Sequence, residues 1–137
     1  MLRLRRDQWL QMVGHSLDCL PEEACGLLGG RPDGTVEVFR PCANADHSAR
    51  TYSIDGVDLL RFERELDAGG EGLEVLGVVH SHTHTDAYPS PADVERAALL
   101  GPWHFLIVSL RHPEPVARSY RILDGEIVEE PIVVTEA

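Results

Sequence analysis

A mixed α+β fold, with about three helices packed on a central mixed β-sheet, is predicted by the order of apolar patterns along the chain. Three stretches carry apolar residues at helical spacing, and short β-branched runs of strand length lie between them. Clusters of Gly, Pro and Asp-Gly separate the two kinds. At 137 residues the chain is long enough to bury a core without disulfides, and it reads as one domain over residues 1–137.

Trp9, Leu10, Val13, Leu17 and Leu20 recur at helical spacing and Pro21 closes the run, which places a first helix over about residues 6–20. Ala24 to Leu28 (ACGLL) reads as a short buried strand. Gly29, Gly30 and Pro32-Asp33-Gly34 are turn residues, and Thr35 to Phe39 alternates as a strand should, so the two strands form a hairpin. Pro41 to Arg50 (PCANADHSAR) shows no period and is the longest loop, a candidate substrate-facing segment. Asp55 caps a second helix with Leu59, Phe62 and Leu66 on one face, and Gly69-Gly70 ends it. Residues 73–82 are apolar and β-branched and predict a buried strand. Ser90, Pro91 and Asp93 open a third helix as cap, first-turn proline and third-position carboxylate, with Pro102 just past its end. His104 to Leu110 is a further core strand. Residues 116–123, the Asp124-Gly125 turn and residues 126–134 make a last hairpin, whose second arm carries Pro131 and is therefore edge or bulged.

Asp and Glu number 23 against 12 Lys and Arg, a formal net charge of -11. Such a surface repels phosphate backbones and anionic lipid, which argues against nucleic acid or membrane as a partner. No apolar run approaches a membrane span, and MLRLRRDQW is not followed by the apolar core of a secretory signal, so a cytoplasmic location is expected. Cys19, Cys25 and Cys42 are odd in number without CxxC spacing, which predicts reduced, packed thiols. Cys25 in particular has no basic neighbour to activate it.

The chemistry concentrates at His80-Ser81-His82. At the end of a strand, residues i and i+2 project to one face with Cα atoms about 6.6 Å apart, so both imidazoles can reach one ion. Ser90 and Asp93 alone are fully explained as a capping box. In combination, a helix starting just after the strand can bring the Asp93 carboxylate back beside the imidazoles. Two nitrogens, one oxygen and an open fourth position distinguish catalytic zinc from the closed structural kind. A hydrolytic zinc site also needs a base, and Glu22 and Glu23 ahead of ACGLL are the candidates, with nothing in the residues themselves to choose between them. His84 extends the pattern, but on a straight strand it lies about 13 Å from His80, too far to share the ion, and it reads as a loop residue near the substrate. His15, His47, His104 and His112 show no ligand spacing, although His47 lies in the candidate substrate loop.

Glu23 with ACGLL, then His80-x-His82, seven residues, Ser90, two residues and Asp93 resembles the JAMM (MPN+) metallopeptidases. Pro21-x-Glu23 and GVVHSHT belong to the same likeness, while THTDAYPS and RSYRILDGEIVEEP look like the bacterial Mec-type subgroup. The resemblance implies a single JAMM/MPN-like domain that binds zinc through His80, His82 and Asp93. It assigns general acid/base work to Glu23 and oxyanion stabilisation to the Ser90 hydroxyl. The implied reaction is hydrolysis of the amide joining the C-terminal Gly-Gly tail of a ubiquitin-like sulfur-carrier protein to cysteine, releasing cysteine for biosynthesis. Alternatives of the same chemistry are trimming of a carrier's C-terminus and removal of a modifier from protein lysines. A non-catalytic scaffold of the fold is a poor reading because every ligand is present. A two-histidine, one-carboxylate iron oxygenase shares the ligand types but requires neither Glu23 nor Ser90. An extended tail is expected to bind by β-augmentation, at the PCANADHSAR loop or at an exposed strand edge near Val75 to His80.

Overall fold

The computed structural model describes residues 1–136, in the order β1 (Leu2–Arg5), α1 (Arg6–Asp18), β2 (Cys25–Gly30), β3 (Val36–Cys42), α2 (Gly56–Gly69), β4 (Glu74–His82), α3 (Pro91–Ala97), β5 (His104–Ser109), β6 (Val116–Leu123), β7 (Glu126–Glu130) and β8 (Ile132–Thr135). The apolar runs read as buried strands occupy the interior of a six-stranded sheet ordered β3-β2-β4-β5-β6-β7. Neighbours are antiparallel except β4 and β5, which run parallel and are joined by the α3 crossover. Because β2 and β5 are buried throughout and β4 from Leu76 onward, their sequences are continuously apolar rather than alternating. Helix α1 packs on one face over Leu28, Val79 and Leu106, and α2 covers the other over Leu27, Val78 and Phe105. The α2 caps are those expected: Asp55 Oδ1 accepts from Val57 N at 2.8 Å, and Gly70 takes the left-handed conformation at φ 66°. Among the described residues no helix is long and apolar enough to cross a membrane.

Four details differ from the sequence reading. Gly29 and Gly30 belong to β2 rather than to a turn. They are glycine because a Cβ at Gly29 would come 2.8 Å from Phe62 Cζ, and one at Gly30 would collide with the Thr35 carbonyl. Helix α1 buries Gln8, Met12 and Ser16, leaving Leu10 and Leu17 exposed. That polar stripe is tolerated because Gln8 Nε2 donates to Val36 O at 3.1 Å and Ser16 Oγ to Met12 O at 2.8 Å. The last arm splits at Pro131: β8 leaves the hairpin and pairs in parallel with β1, a strand too short to show a period. Finally, β4 lies between β2 and β5, so the stretch Val75 to His80 is no exposed edge, and the outer strands of the sheet are β3 and β7.

Candidate active site and its metal donors

The carboxyl end of β4 presents His80 and His82 on the α2 side of the sheet, each 2% exposed. Their Nε2 atoms lie 3.2 Å apart, and Asp93 Oδ2 sits 3.3 Å from the first and 3.0 Å from the second. All three donor atoms fall within 4.8 Å of one another. Asp93 reaches this point through the helix cap. Ser90 Oγ accepts from Asp93 N at 3.2 Å, and Asp93 Oδ2 accepts from Ser90 N at 2.9 Å. The carboxylate oxygen that closes the cap is the one aimed at the imidazoles, so the cap would also set the direction in which Asp93 meets an ion.

His82 Nδ1 lies 2.7 Å from the Asp86 carbonyl and must donate to it, which directs Nε2 toward the shared point. Two imidazole nitrogens and a carboxylate oxygen this close need a positive charge between them. This donor set fits a divalent zinc ion, and a proton can hold the place when metal is absent. The ionisation shifts agree. Burial pushes the Asp93 carboxyl up, but the contacts to His80, His82 and the Ser90 amide outweigh it and hold the group well below the usual carboxylate range. Burial lowers His80; it also acts against the charge on His82, where Asp93 and the Asp86 carbonyl outweigh it and raise the group.

Glu23, just ahead of β2, is fixed through its backbone. Its N–H donates to Ser48 O at 2.8 Å and its carbonyl accepts from Asn44 Nδ2 at 3.0 Å. The next residue is stitched to β4: Ala24 N donates to Ser81 Oγ at 2.8 Å, and Ser81 N to Ala24 O at 2.9 Å. The Glu23 side chain is buried, and its Oε1 has no hydrogen-bond partner. Burial raises the carboxyl to about 8; His82 pulls it down, while Asp93 and Asp46 push it up. Glu22, by contrast, faces the rim and pairs with His47 at 3.4 Å. The two acidic residues left equivalent by the sequence are therefore distinguished by burial.

Several residues that frame the site carry no sequence signal of their own. Asn44 Oδ1 also accepts from Asp46 N and Ser53 N at 3.0 and 3.1 Å, and its Nδ2 donates to Thr51 O at 2.9 Å, so one side chain organises the 43–55 loop. Three successive carbonyls after β4 are each held by a different strand. Ser109 Oγ donates to Thr85 O at 2.5 Å, His82 Nδ1 to Asp86 O, and Tyr120 Oη to Ala87 O at 2.5 Å. Only Ser81 could have been suspected, from its place between the two histidines. His84 is exposed, with Nδ1 2.7 Å from Thr83 Oγ1, and lies outside the donor group. His15 and His104 are occupied by the Cys25 carbonyl and Glu130 at 3.0 and 2.6 Å. The three cysteines are free thiols, and burial pushes that of Cys25 up to about 12.

The family described as prokaryotic homologs of the JAB domain matches residues 5–123. The chain belongs to the JAMM metallopeptidase family. This JAMM chain is 40% identical to the CysO-cysteine peptidase of Mycobacterium tuberculosis over 139 residues, covering 99% of the chain and 92% of that protein. It is 33% identical over 91 residues to the desampylase of Haloferax volcanii, covering 65% of the chain and 63% of that protein. The solution structure of DSY2949 from Desulfitobacterium hafniense matches with a TM-score of 0.90 at 37% identity, over 100% of this chain and 94% of that one. AF2198, a JAB1/MPN domain protein from Archaeoglobus fulgidus, shares the fold with a TM-score of 0.60 at 19% identity, over 97% of each chain.

Proposed function

We propose that this chain is a zinc metallopeptidase that hydrolyses the amide between the C-terminal Gly-Gly tail of a ubiquitin-like sulfur-carrier protein and cysteine, releasing cysteine. The observation that carries this reading is the likeness, over nearly the whole chain, to a protein named CysO-cysteine peptidase. The site supplies compatible chemistry. His80 Nε2, His82 Nε2 and Asp93 Oδ2 would hold the zinc ion, which when bound supplies Lewis-acid activation of water and of the scissile carbonyl. The Glu23 carboxyl, buried with Oε1 free of any hydrogen-bond partner, takes a proton from the attacking water and returns it to the leaving amine. Ser90 Oγ uses a lone pair for the Asp93 amide, which leaves its hydrogen free to donate to the oxyanion. The exposed side of the loop from Ala45 to Arg50 borders these groups and receives the extended tail.

The test is a carrier-cysteine adduct incubated with the zinc-loaded protein and followed by mass spectrometry. Loss of the cysteine mass is expected, and a chelator or Glu23→Gln should stop it; an adduct left intact by the active metal form rejects the substrate. A second reading, removal of a modifier from protein lysines, is favoured by the likeness to the desampylase. Faster cleavage of a lysine-linked conjugate than of the cysteine adduct would select it.

A further inference from the structure

The two histidines of the donor group are held in different ways. His82 has its ring fixed by the bond from Nδ1 to the Asp86 carbonyl. His80 has no such bond: its Nδ1 is buried without a hydrogen-bond partner. The outer torsion of a histidine side chain is broad, so burial in a sheet interior does not by itself fix the plane in which the ring reaches toward Asp93. Among the described residues, the only aromatic ring stacked on His80 is that of Tyr52, with centroids 4.2 Å apart and planes inclined by 20°. Tyr52 is 2% exposed and its hydroxyl also has no partner, so no hydrogen bond made by that oxygen explains why the ring is there. Its backbone explains how it is placed: the neighbouring carbonyl of Thr51 and amide of Ser53 are both bound by Asn44, the side chain that also holds the Glu23 carbonyl.

We propose that Tyr52 is the positioning residue for His80, its ring face holding the imidazole so that Nε2 points at the position shared with His82 and Asp93. This rests on the metal-site reading above. Outer partners of a ligating histidine set its orientation and hence metal affinity, and for most ligating histidines that partner is a hydrogen-bonding group. Here an aromatic face takes the role. The preferred offset stacking of aromatic rings gives it a defined angle, which an aliphatic side chain of similar volume lacks. The 43–55 loop thereby orients two of the groups at the site with one asparagine: Glu23 directly, and His80 through Tyr52.

Zinc affinity of the full chain, measured by competition with a chromophoric chelator, tests this without any substrate. Tyr52→Phe keeps the ring and should bind zinc within about twofold of wild type. Tyr52→Leu loses it and should bind about tenfold more weakly, the lower end of the effect of removing an outer partner. Tyr52→Met serves as a second aliphatic variant should the leucine protein not fold, and thermal unfolding of each metal-free form separates loss of orientation from loss of fold. In the cobalt-loaded proteins the visible ligand-field spectrum should be unchanged in Tyr52→Phe and altered in the aliphatic variant. Wild-type affinity and spectrum in a folded aliphatic variant, or equal weakening in Tyr52→Phe, overturns the proposal. Failure of the wild-type chain itself to bind zinc would reject the metal site instead.

Discussion

Ser90 caps α3, and the oxyanion role proposed for the same hydroxyl can be separated from the cap by mutation. Its lone pair caps α3 and its hydrogen is free. Gly is tolerated at a helix N-cap but offers no side-chain donor, so Ser90→Gly should retain stability within about 1 kcal/mol while losing on the order of 100-fold in turnover. Equal losses in unfolding midpoint and rate would reduce Ser90 to a cap. For Glu23, the folded-state value of about 8 lies above the ordinary glutamate value of 4.5, so the buried group favours the folded state while protonated. That contribution is full below about 4.5 and is lost as pH rises through about 8. Relative to wild type, metal-free Glu23→Gln should therefore gain stability as pH is raised across this window, a trend measurable by thermal unfolding in chelator. A flat difference would mean that the carboxyl is solvated. At this scale the sequence was legible where chemistry restricts residue type, as at His80, His82 and Asp93. It was silent at Asn44 and Tyr52, whose roles depend on contacts between distant segments.

The element that most constrains the site is the turn between β4 and α3, because it ends in the Ser90 cap that presents Asp93 and orients His82 at the same time. Its three held carbonyls draw on β4, β5 and β6, so the turn is only as well placed as the sheet beneath it. Tyr120→Phe removes one donor at a buried carbonyl and should cost about 1 to 3 kcal/mol of stability. Added to Ser109→Ala, it should also weaken zinc binding by more than the two single losses combined, since both bonds restrain one segment. Strictly additive losses in a chelator competition would show that the two bonds act independently. Elements with strong signals, such as the capped α2 and the apolar β4 and β5, were legible from periodicity and caps. The pairing of β1 with β8 was not, because it joins residues 2–5 to residues 132–135 and leaves no local pattern. The order of strands likewise decides that β4 has no free edge, and that order is a property of long-range pairing.

For the molecule as a whole, the small β1–β8 sheet is fastened to the large one by a buried polar cluster far along the strands from the donor group. Glu130 accepts from the Met1 ammonium at 2.8 Å and from Ser119 Oγ at 2.9 Å, and meets His104 Nδ1 at 2.6 Å. Burial pushes its carboxyl up, but these three bonds prevail and lower it to about 2. The sign is opposite to that of Glu23. Its contribution is complete above the ordinary glutamate value of 4.5 and is lost as pH falls toward about 2, on the order of 3 kcal/mol in all. Glu130→Gln should flatten that acid limb in urea titrations and leave zinc affinity unchanged; an altered affinity would tie this cluster to the site. The placement of β4 has a consequence of another kind. Its backbone from Gly77 to His80 is hydrogen-bonded to strands on both sides, so the two histidine donors stand on or beside what should be the slowest-exchanging segment of the chain. Small zinc modules melt when stripped of their ion, whereas this scaffold should lose zinc with its deuterium-uptake pattern at β2, β4 and β5 intact and take it up again without refolding.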